Sequence, residues 1–234
     1  MPADPVDPRW PKLLSLTVHE FRTPMTVVSG YLRMLLKERA GTITDQQRRL
    51  LEEAEKSCSR LSALLAEVSD LSRLEGGAAA FNRSRLDLRA VLRKTVAGLP
   101  PLPDRDIAVG LDAEPSEAPV DGDAARLEQA LAAVIGAIRR EIVSGEQLIV
   151  RERARVLEGR TVSWIAIADP TAVDALAGTD PASLGTFDEW RGGVGLSLAV
   201  ARRIIGAHDG RIWSPDDADG IAKKTGAVIA IPHG

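Results

Sequence analysis

The sequence predicts an α+β protein in two parts: an N-terminal helical hairpin that pairs with a second copy as a dimeric four-helix bundle, then an α/β sandwich. Three observations carry this reading. Apolar residues recur at threes and fours along residues 11–74, the period of amphipathic helices. Gly76-Gly77 then breaks the pattern. Beyond it, short β-branched runs alternate with helical ones, as expected for a sheet packed against helices. The boundary is expected near residues 76–85, which gives a hairpin over 1–80 and a sandwich over 81–234.

The first helix is expected from Pro11 to about Glu38, with the stripe Leu13, Leu14, Val18, Phe21, Met25, Val28, Leu32 and Leu35. Proline suits a first helical turn, and Gly41 marks the exit. Thr44 or Asp45 can cap the second helix. Its stripe, Leu51, Ala54, Cys58, Leu61, Leu65, Val68, Leu71 and Leu74, alternates threes and fours, which is a coiled-coil seam. Two helices ~40 Å long cannot bury both seams against each other alone. A homodimeric bundle solves this; a hairpin docked on its own second domain is the alternative.

Past the break, Leu86 to Val96 reads as a helix ended by Pro100, Pro101 and Pro103. Asp106 to Leu111 is a short strand, and Glu114–Gly122 a loop. Arg126 to Ile142 is a helix with a strong apolar face. Gln147–Val156 and Thr161–Ala168 form a hairpin turned at Glu158-Gly159. Asp174 to Arg191 reads as loop, Leu196 to Ala207 as helix, and Arg211–Ser214 and Ala227–Ile231 as the last strands. The helices are expected on one side of the sheet.

Composition excludes several classes. With 234 residues, 44% of them hydrophobic, the chain can build real cores. Its net charge of −3 is of mixed sign, without the clustered basic face that nucleic acid requires. One cysteine, Cys58, cannot build a disulfide framework, and it fits a reducing, cytoplasmic setting as a small buried hydrophobe. No apolar run nears the ~20 residues of a membrane span. The proline-rich, acidic start does not read as a signal peptide, so the chain is expected to be soluble.

The informative segment is His19-Glu20-Phe21-Arg22-Thr23-Pro24, inside the first helix. Thr23 stands one turn beyond His19 on the same face. Pro24 has no N–H for the carbonyl of Glu20 and should bend the helix there. A neutral imidazole is a good nucleophile, its ordinary pKa being ~6.5. Glu20 can accept the other ring proton, and the Thr23 hydroxyl can orient a water or a phosphoryl oxygen. A His-Glu pair alone is more often solvated surface; the complete string is far more specific.

That string resembles the H box of two-component sensor histidine kinases, and residues 16–36 follow that family's usual run. The resemblance implies that His19 is the phospho-acceptor, Glu20 its base, and Thr23 the residue that positions water for dephosphorylating a response regulator. It implies a homodimer, a receiver-domain partner, and a second domain of the ATP-binding Bergerat type with ATP and Mg²⁺ as cofactors. Gly122-Asp123 with Arg126–Gln129 resembles the approach to the N box. Arg191–Leu198 resembles the second glycine box, in which Gly193 and Gly195 let backbone approach phosphates. Ala207–Ile212 resembles the turn into the final hairpin.

Departures from the pattern are concentrated in the nucleotide site. Both N-box asparagine positions are alanine, Ala133 and Ala137, and alanine offers Mg²⁺ no oxygen. Glu141, one turn beyond Ala137, is a weak candidate to substitute. The first glycine box keeps Asp169, which the resemblance assigns to the adenine amino group, but has lost its glycines. Only twenty-two residues separate Asp169 from Gly192, a short lid. Together these losses argue against efficient Mg·ATP binding and against autophosphorylation from ATP. No residues show metal-ligand spacing.

His208 and His233 read as turn and tail residues, Trp164 and Trp213 as core, and the Arg151–Arg155 charges as an exposed strand face. The leading expectation is His–Asp phosphosignalling through His19, with Thr23 supporting a phosphatase reaction. A conventional active sensor kinase and a pseudokinase scaffold for receiver domains remain the alternatives.

Overall fold

The structure is a computed structural model that describes residues 9–103, 105–142, 145–191, 195–215 and 225–234. The chain divides into two compact units between Ala79 and Ala80.

The first unit is a hairpin of α1 (Trp10–Leu36) and α2 (Asp45–Glu75). Pro11 sits in the first turn of α1, where a missing N–H costs nothing. The helix stops at Leu36, two residues short of expectation, because Glu38 takes the left-handed conformation that ends it. Arg48 then closes the loop, donating to the Leu36 carbonyl at 3.2 Å and pairing with Glu38 at 2.6 Å. Thr44 caps α2 in a complete capping box with Gln47.

Within the hairpin Val18 and Cys58 are buried, while Leu14, Met25, Leu32, Leu65, Val68 and Leu71 are half-buried between the helices. The Cys58 thiol meets the Ser29 hydroxyl at 2.9 Å. Part of each expected stripe is uncovered within one chain: Leu13, Phe21, Val28 and Leu35 on α1, and Ala54 and Leu61 on α2, are exposed.

In the second unit a six-stranded sheet runs in the order β2-β4-β5-β8-β7-β6. Its strands are β2 (Ala108–Ala113), β4 (Gln147–Leu157), β5 (Arg160–Ala168), β6 (Leu184–Thr186), β7 (Arg211–Pro215) and β8 (Gly226–Pro232). β2 pairs parallel with β4, and every other pairing is antiparallel. Glu158 and Gly159, both at positive φ, turn the β4–β5 hairpin, which is the requirement of a tight two-residue connection. The helices α3 (Leu88–Ala97), α4 (Ala124–Glu141) and α6 (Ser197–Ala207) pack as a layer on one face. Leu127, Leu131, Ile135 and Ile138 of α4 bury there with Ile165, Ile167, Ile229 and Ile231 of the sheet.

Four expectations need correction. Leu86 and Asp87 belong to β1 (Ser84–Asp87), not to the helix, and β1 pairs with β3 (Pro119–Gly122), inside the expected loop. The cause is Asp87: its carboxylate accepts from the N–H groups of Arg89, Ala90 and Ala118, so the helix starts one residue beyond it. Second, Asp174–Arg191 is not a loop. It holds α5 (Val173–Gly178), a 3₁₀ turn (Pro181–Ser183) and β6.

Third, α5 lies on the face opposite the other helices, burying Val173 and Leu176 with Val162, Trp164, Ala166, Ala168, Val228 and Ala230. Burial of two such side chains stabilises this placement by about 1.5–3 kcal/mol each.

Fourth, the 151–155 charges are engaged rather than free. Arg151 and Arg153 pair with Asp112. Glu152 is fully buried and holds the guanidinium of Arg89, itself 1% exposed. Arg89 also donates to Ser116 and Glu114, so α3 is fastened to the sheet by a satisfied buried charge network.

His233 lies beside this network, its Nε2 3.0 Å from the Ser163 hydroxyl. Burial pushes its pKa below 6.5, and the Arg89 charge acts in the same direction, against an opposing pull from Glu152. The unfolded chain therefore binds the extra proton first. Stability from this group is complete above about pH 6.5 and is lost as pH falls toward the lowered folded value. Urea unfolding at about pH 8 and pH 5 should show lower stability in acid, and His233→Gln should reduce that difference. An unchanged difference in the variant would locate the acid sensitivity elsewhere.

Candidate functional site

α1 carries the His19 string on its open surface. His19 is 76% exposed at its side chain, and its Nδ1 lies 3.5 Å from a carboxylate oxygen of Glu20. That approach is longer than a good hydrogen bond, and it leaves Nε2 as the ring nitrogen turned from the carboxylate. Thr23, one turn on, is exposed. The neighbouring hydroxyls of Thr17 and Thr26 fold back onto the carbonyls of Leu13 and Arg22, each at 2.8 Å. Thr23 makes no such bond, and its hydroxyl has no partner among the described residues. α1 runs through Pro24 without interruption, and the Glu20 carbonyl lacks its helical donor there.

The second group of expected residues lies in the second unit. Asp169 directly follows β5, and one carboxylate oxygen accepts from the Thr171 N–H and hydroxyl and the Ala172 N–H at 2.5–3.2 Å. Burial opposes its charge, but these donors outweigh it and hold the pKa below the ordinary value. The aspartate thereby shapes the turn into α5. Gly195 is left-handed, with φ 69°, two residues before α6. Gly193 lies outside the described residues.

At the N-box positions Ala133 is half-buried and Ala137 fully buried. Glu141, at the end of α4, is paired in bidentate fashion with Arg191. The same guanidinium donates to the Gly226 carbonyl at 2.9 Å and the Ser214 hydroxyl at 3.3 Å. One arginine thus ties α4 to β7 and β8 immediately before the glycine run. The residues at these positions do not fit a Mg²⁺ ion: two are methyl groups, and the Glu141 carboxylate is committed to a cation. Among the described residues no group of three His, Cys, Asp or Glu is arranged to hold a metal.

Motifs at Gly122-Asp123 and Ala207–Gly210 meet in the interior. The buried His208 accepts from the Asp123 N–H through Nε2 at 2.9 Å and meets the Ile204 carbonyl through Nδ1 at 2.7 Å. A Cβ on Gly122 would come within 2.8 Å of the His208 ring, so the glycine is needed for the approach. Asp123 caps α4 and also holds the Asn82 N–H. These residues fasten β3, α4 and α6 together, a role that spacing along the chain gave no means of assigning. The Arg191–Glu141 pair was equally invisible, since its partners lie 50 residues apart with no local signature.

Residues 12–77 match the His Kinase A (phospho-acceptor) domain family. Over 202 residues the chain is 29% identical to the probable sensor histidine kinase TcrY of Mycobacterium tuberculosis, covering 83% of this chain and 40% of that protein. It is 27% identical over 205 residues to the signal transduction histidine-protein kinase BarA of Escherichia coli, covering 83% of this chain and 22% of BarA. The chain therefore spans less than half the length of either curated relative.

Among solved structures, full-length ShkA in complex with AMPPNP superposes with a TM-score of 0.68 at 22% identity, over 95% of this chain and 45% of that one. The Acinetobacter baumannii histidine kinase AdeS gives a TM-score of 0.53 at 22% identity, over 92% of this chain and 97% of that one. Residues 12–77 are thus similar to a phospho-acceptor domain, and the chain as a whole is similar to sensor histidine kinases. The helical hairpin and mixed sheet share the fold of histidine kinase structures. No helix among the described residues is long and apolar enough to cross a membrane.

Arg191 and Glu141 are both largely shielded, at 12% and 22% side-chain exposure. A double-mutant cycle with Arg191→Gln and Glu141→Gln, read by urea unfolding, should give a coupling energy of about 1–3 kcal/mol. Coupling below about 0.5 kcal/mol would mean that the pair is incidental.

Proposed function

We propose that this chain carries out His–Asp phosphosignalling, with His19 exchanging a phosphoryl group with an aspartate on a response-regulator receiver domain. The observation that carries this reading is the complete His19–Pro24 string on an exposed helix surface, inside residues that match a phospho-acceptor domain. In the transfer onto His19, the Nε2 lone pair attacks the phosphorus of the receiver's aspartyl phosphate. A P–N bond forms, the P–O bond breaks, and the aspartate leaves as a carboxylate. The Nδ1 proton is held by Glu20, which stabilises the charge that builds on the ring. In the hydrolytic direction, the free Thr23 hydroxyl orients a water toward the receiver phosphate.

Homodimerisation through α1 and α2 is part of the same reading. Phe21, Leu13 and Leu61 are at least half exposed in one chain, and a second hairpin covers such seams in a four-helix bundle. Mg·ATP is a poor substrate in this reading, because Ala133, Ala137 and the Arg191-bound Glu141 leave the metal without ligands, and phosphoryl transfer from ATP depends on that metal. A conventional ATP-fed kinase is the competing reading. It is favoured by the left-handed Gly195 before the α6 N-terminus, and by the nucleotide analogue bound to ShkA.

With a phosphorylated receiver domain as donor, the chain should acquire an acid-labile label that His19→Gln abolishes. The melting temperature should stay within a degree or so, as expected for a solvated side chain. Thr23→Ala should keep the label while receiver dephosphorylation slows by about tenfold or more. A label that survives His19→Gln places the acceptor elsewhere. Light scattering should give twice the chain mass, and a monomer at micromolar concentration contradicts the dimer.

A further inference from the structure

The face of the sheet that carries α5 also holds a cleft. It has a volume of about 540 Å³ and lies between the end of β4, the start of β7 and the 3₁₀ turn. Strand alternation places its residues: Trp164 pairs across β8 with Ala230, which in turn faces Arg211, and Trp213 follows two positions along β7. The small side chain of Ala230 leaves room for the indoles, whose centroids are 5.6 Å apart and tilted by 36°.

Two polar groups in this wall have unused donors. Arg155 lies with its guanidinium carbon 4.5 Å over the Trp164 ring. One of its terminal nitrogens donates to the carbonyls of Ala177 and Thr179 at 3.2 and 3.1 Å. These bonds fix the guanidinium plane, yet no carboxylate among the described residues pairs with it. Its neighbour Arg211, by contrast, is held at both terminal nitrogens by Glu158, at 2.7 and 2.9 Å. Trp164 is 1% exposed, and its indole N–H has no acceptor among the described residues. A buried donor without an acceptor is rare in folded proteins and calls for one.

We propose that this cleft binds a small aromatic carboxylate. A carboxylate is planar and matches the free edge of a guanidinium fork. Its second lone pairs can serve the indole donor, and an aromatic ring finds a face on the half-buried Trp213. A phosphate would meet the charge but leave the indole faces unused. An amine would face Arg155 itself; of the two lining carboxylates, Glu158 is held by Arg211, and one Asp180 oxygen is already taken by the Ala182 N–H at 2.8 Å.

The test is a titration of the full chain, labelled with ¹⁵N at its tryptophan indoles, using benzoate at constant ionic strength. The Trp164 resonance is identified by its loss in Trp164→Phe. Saturable downfield movement of that resonance is expected, in the millimolar range fitting so small a ligand. Arg155→Gln should weaken binding by roughly tenfold or more, since a charge-assisted bond is lost. Arg155→Lys, which keeps the charge but not the fork, should also weaken it. Benzamide and benzylamine should leave the resonance in place. Absence of saturable movement at Trp164 overturns the proposal, as does equal binding of benzamide, binding of benzylamine instead, or full affinity in a folded Arg155→Gln variant.

Discussion

The second unit is governed by the need to bury both faces of its central strands. In β5 every residue from Val162 to Ala168 is buried, and in β8 every residue from Gly226 to Ile231. One face is covered by α3, α4 and α6. The other needs its own cover, and the chain takes it from the segment after Asp169. α5 presses Val173 and Leu176 onto the tryptophan side of the sheet, and β6 then extends the sheet beyond β7. Asp169 follows the same logic: its carboxylate organises the turn that launches α5.

The hairpin shows the opposite economy. Its helices bury little against each other, and large apolar side chains from Leu13 to Leu35 remain open. Exposed patches of that extent mark interaction surfaces. The His19 string sits on this open unit, whereas the alanines and the Arg191–Glu141 pair sit on the closed one. In the proposed division of labour the first unit keeps the reactive group accessible, and the second contributes a stable sandwich whose metal ligands have been replaced by packing and by an internal cation.

Much of this architecture was legible in the sequence, for reasons that can be named. The two long helices, the β4–β5 hairpin and α4 were readable because each carries a strong period and a clean stop, such as Thr44 or Glu158-Gly159. β1 and β3 were missed because strands of four residues carry no period. α5 was missed because six residues do not complete two turns, and because its apolar Val173 and Leu176 gain meaning only against the sheet. Asp87 was the one local signal overlooked: an aspartate before an apolar helical run is a cap, and it moves the helix start by two residues. In the candidate site, the six-residue string could be read directly. The pairing of Arg191 with Glu141 is a tertiary fact with no trace along the chain, whereas the engagement of Asp169 is local, made with Thr171 and Ala172 in its own turn.

The central claim is that the sandwich persists while its capacity for Mg·ATP has been given up. Isothermal calorimetry of the full chain with ATP, with and without Mg²⁺, tests it most directly. The account predicts no binding tighter than about 1 mM and no dependence on the metal. A dissociation constant in the low micromolar range that requires Mg²⁺ would contradict it, and would mean that other oxygens hold the metal despite Ala133 and Ala137.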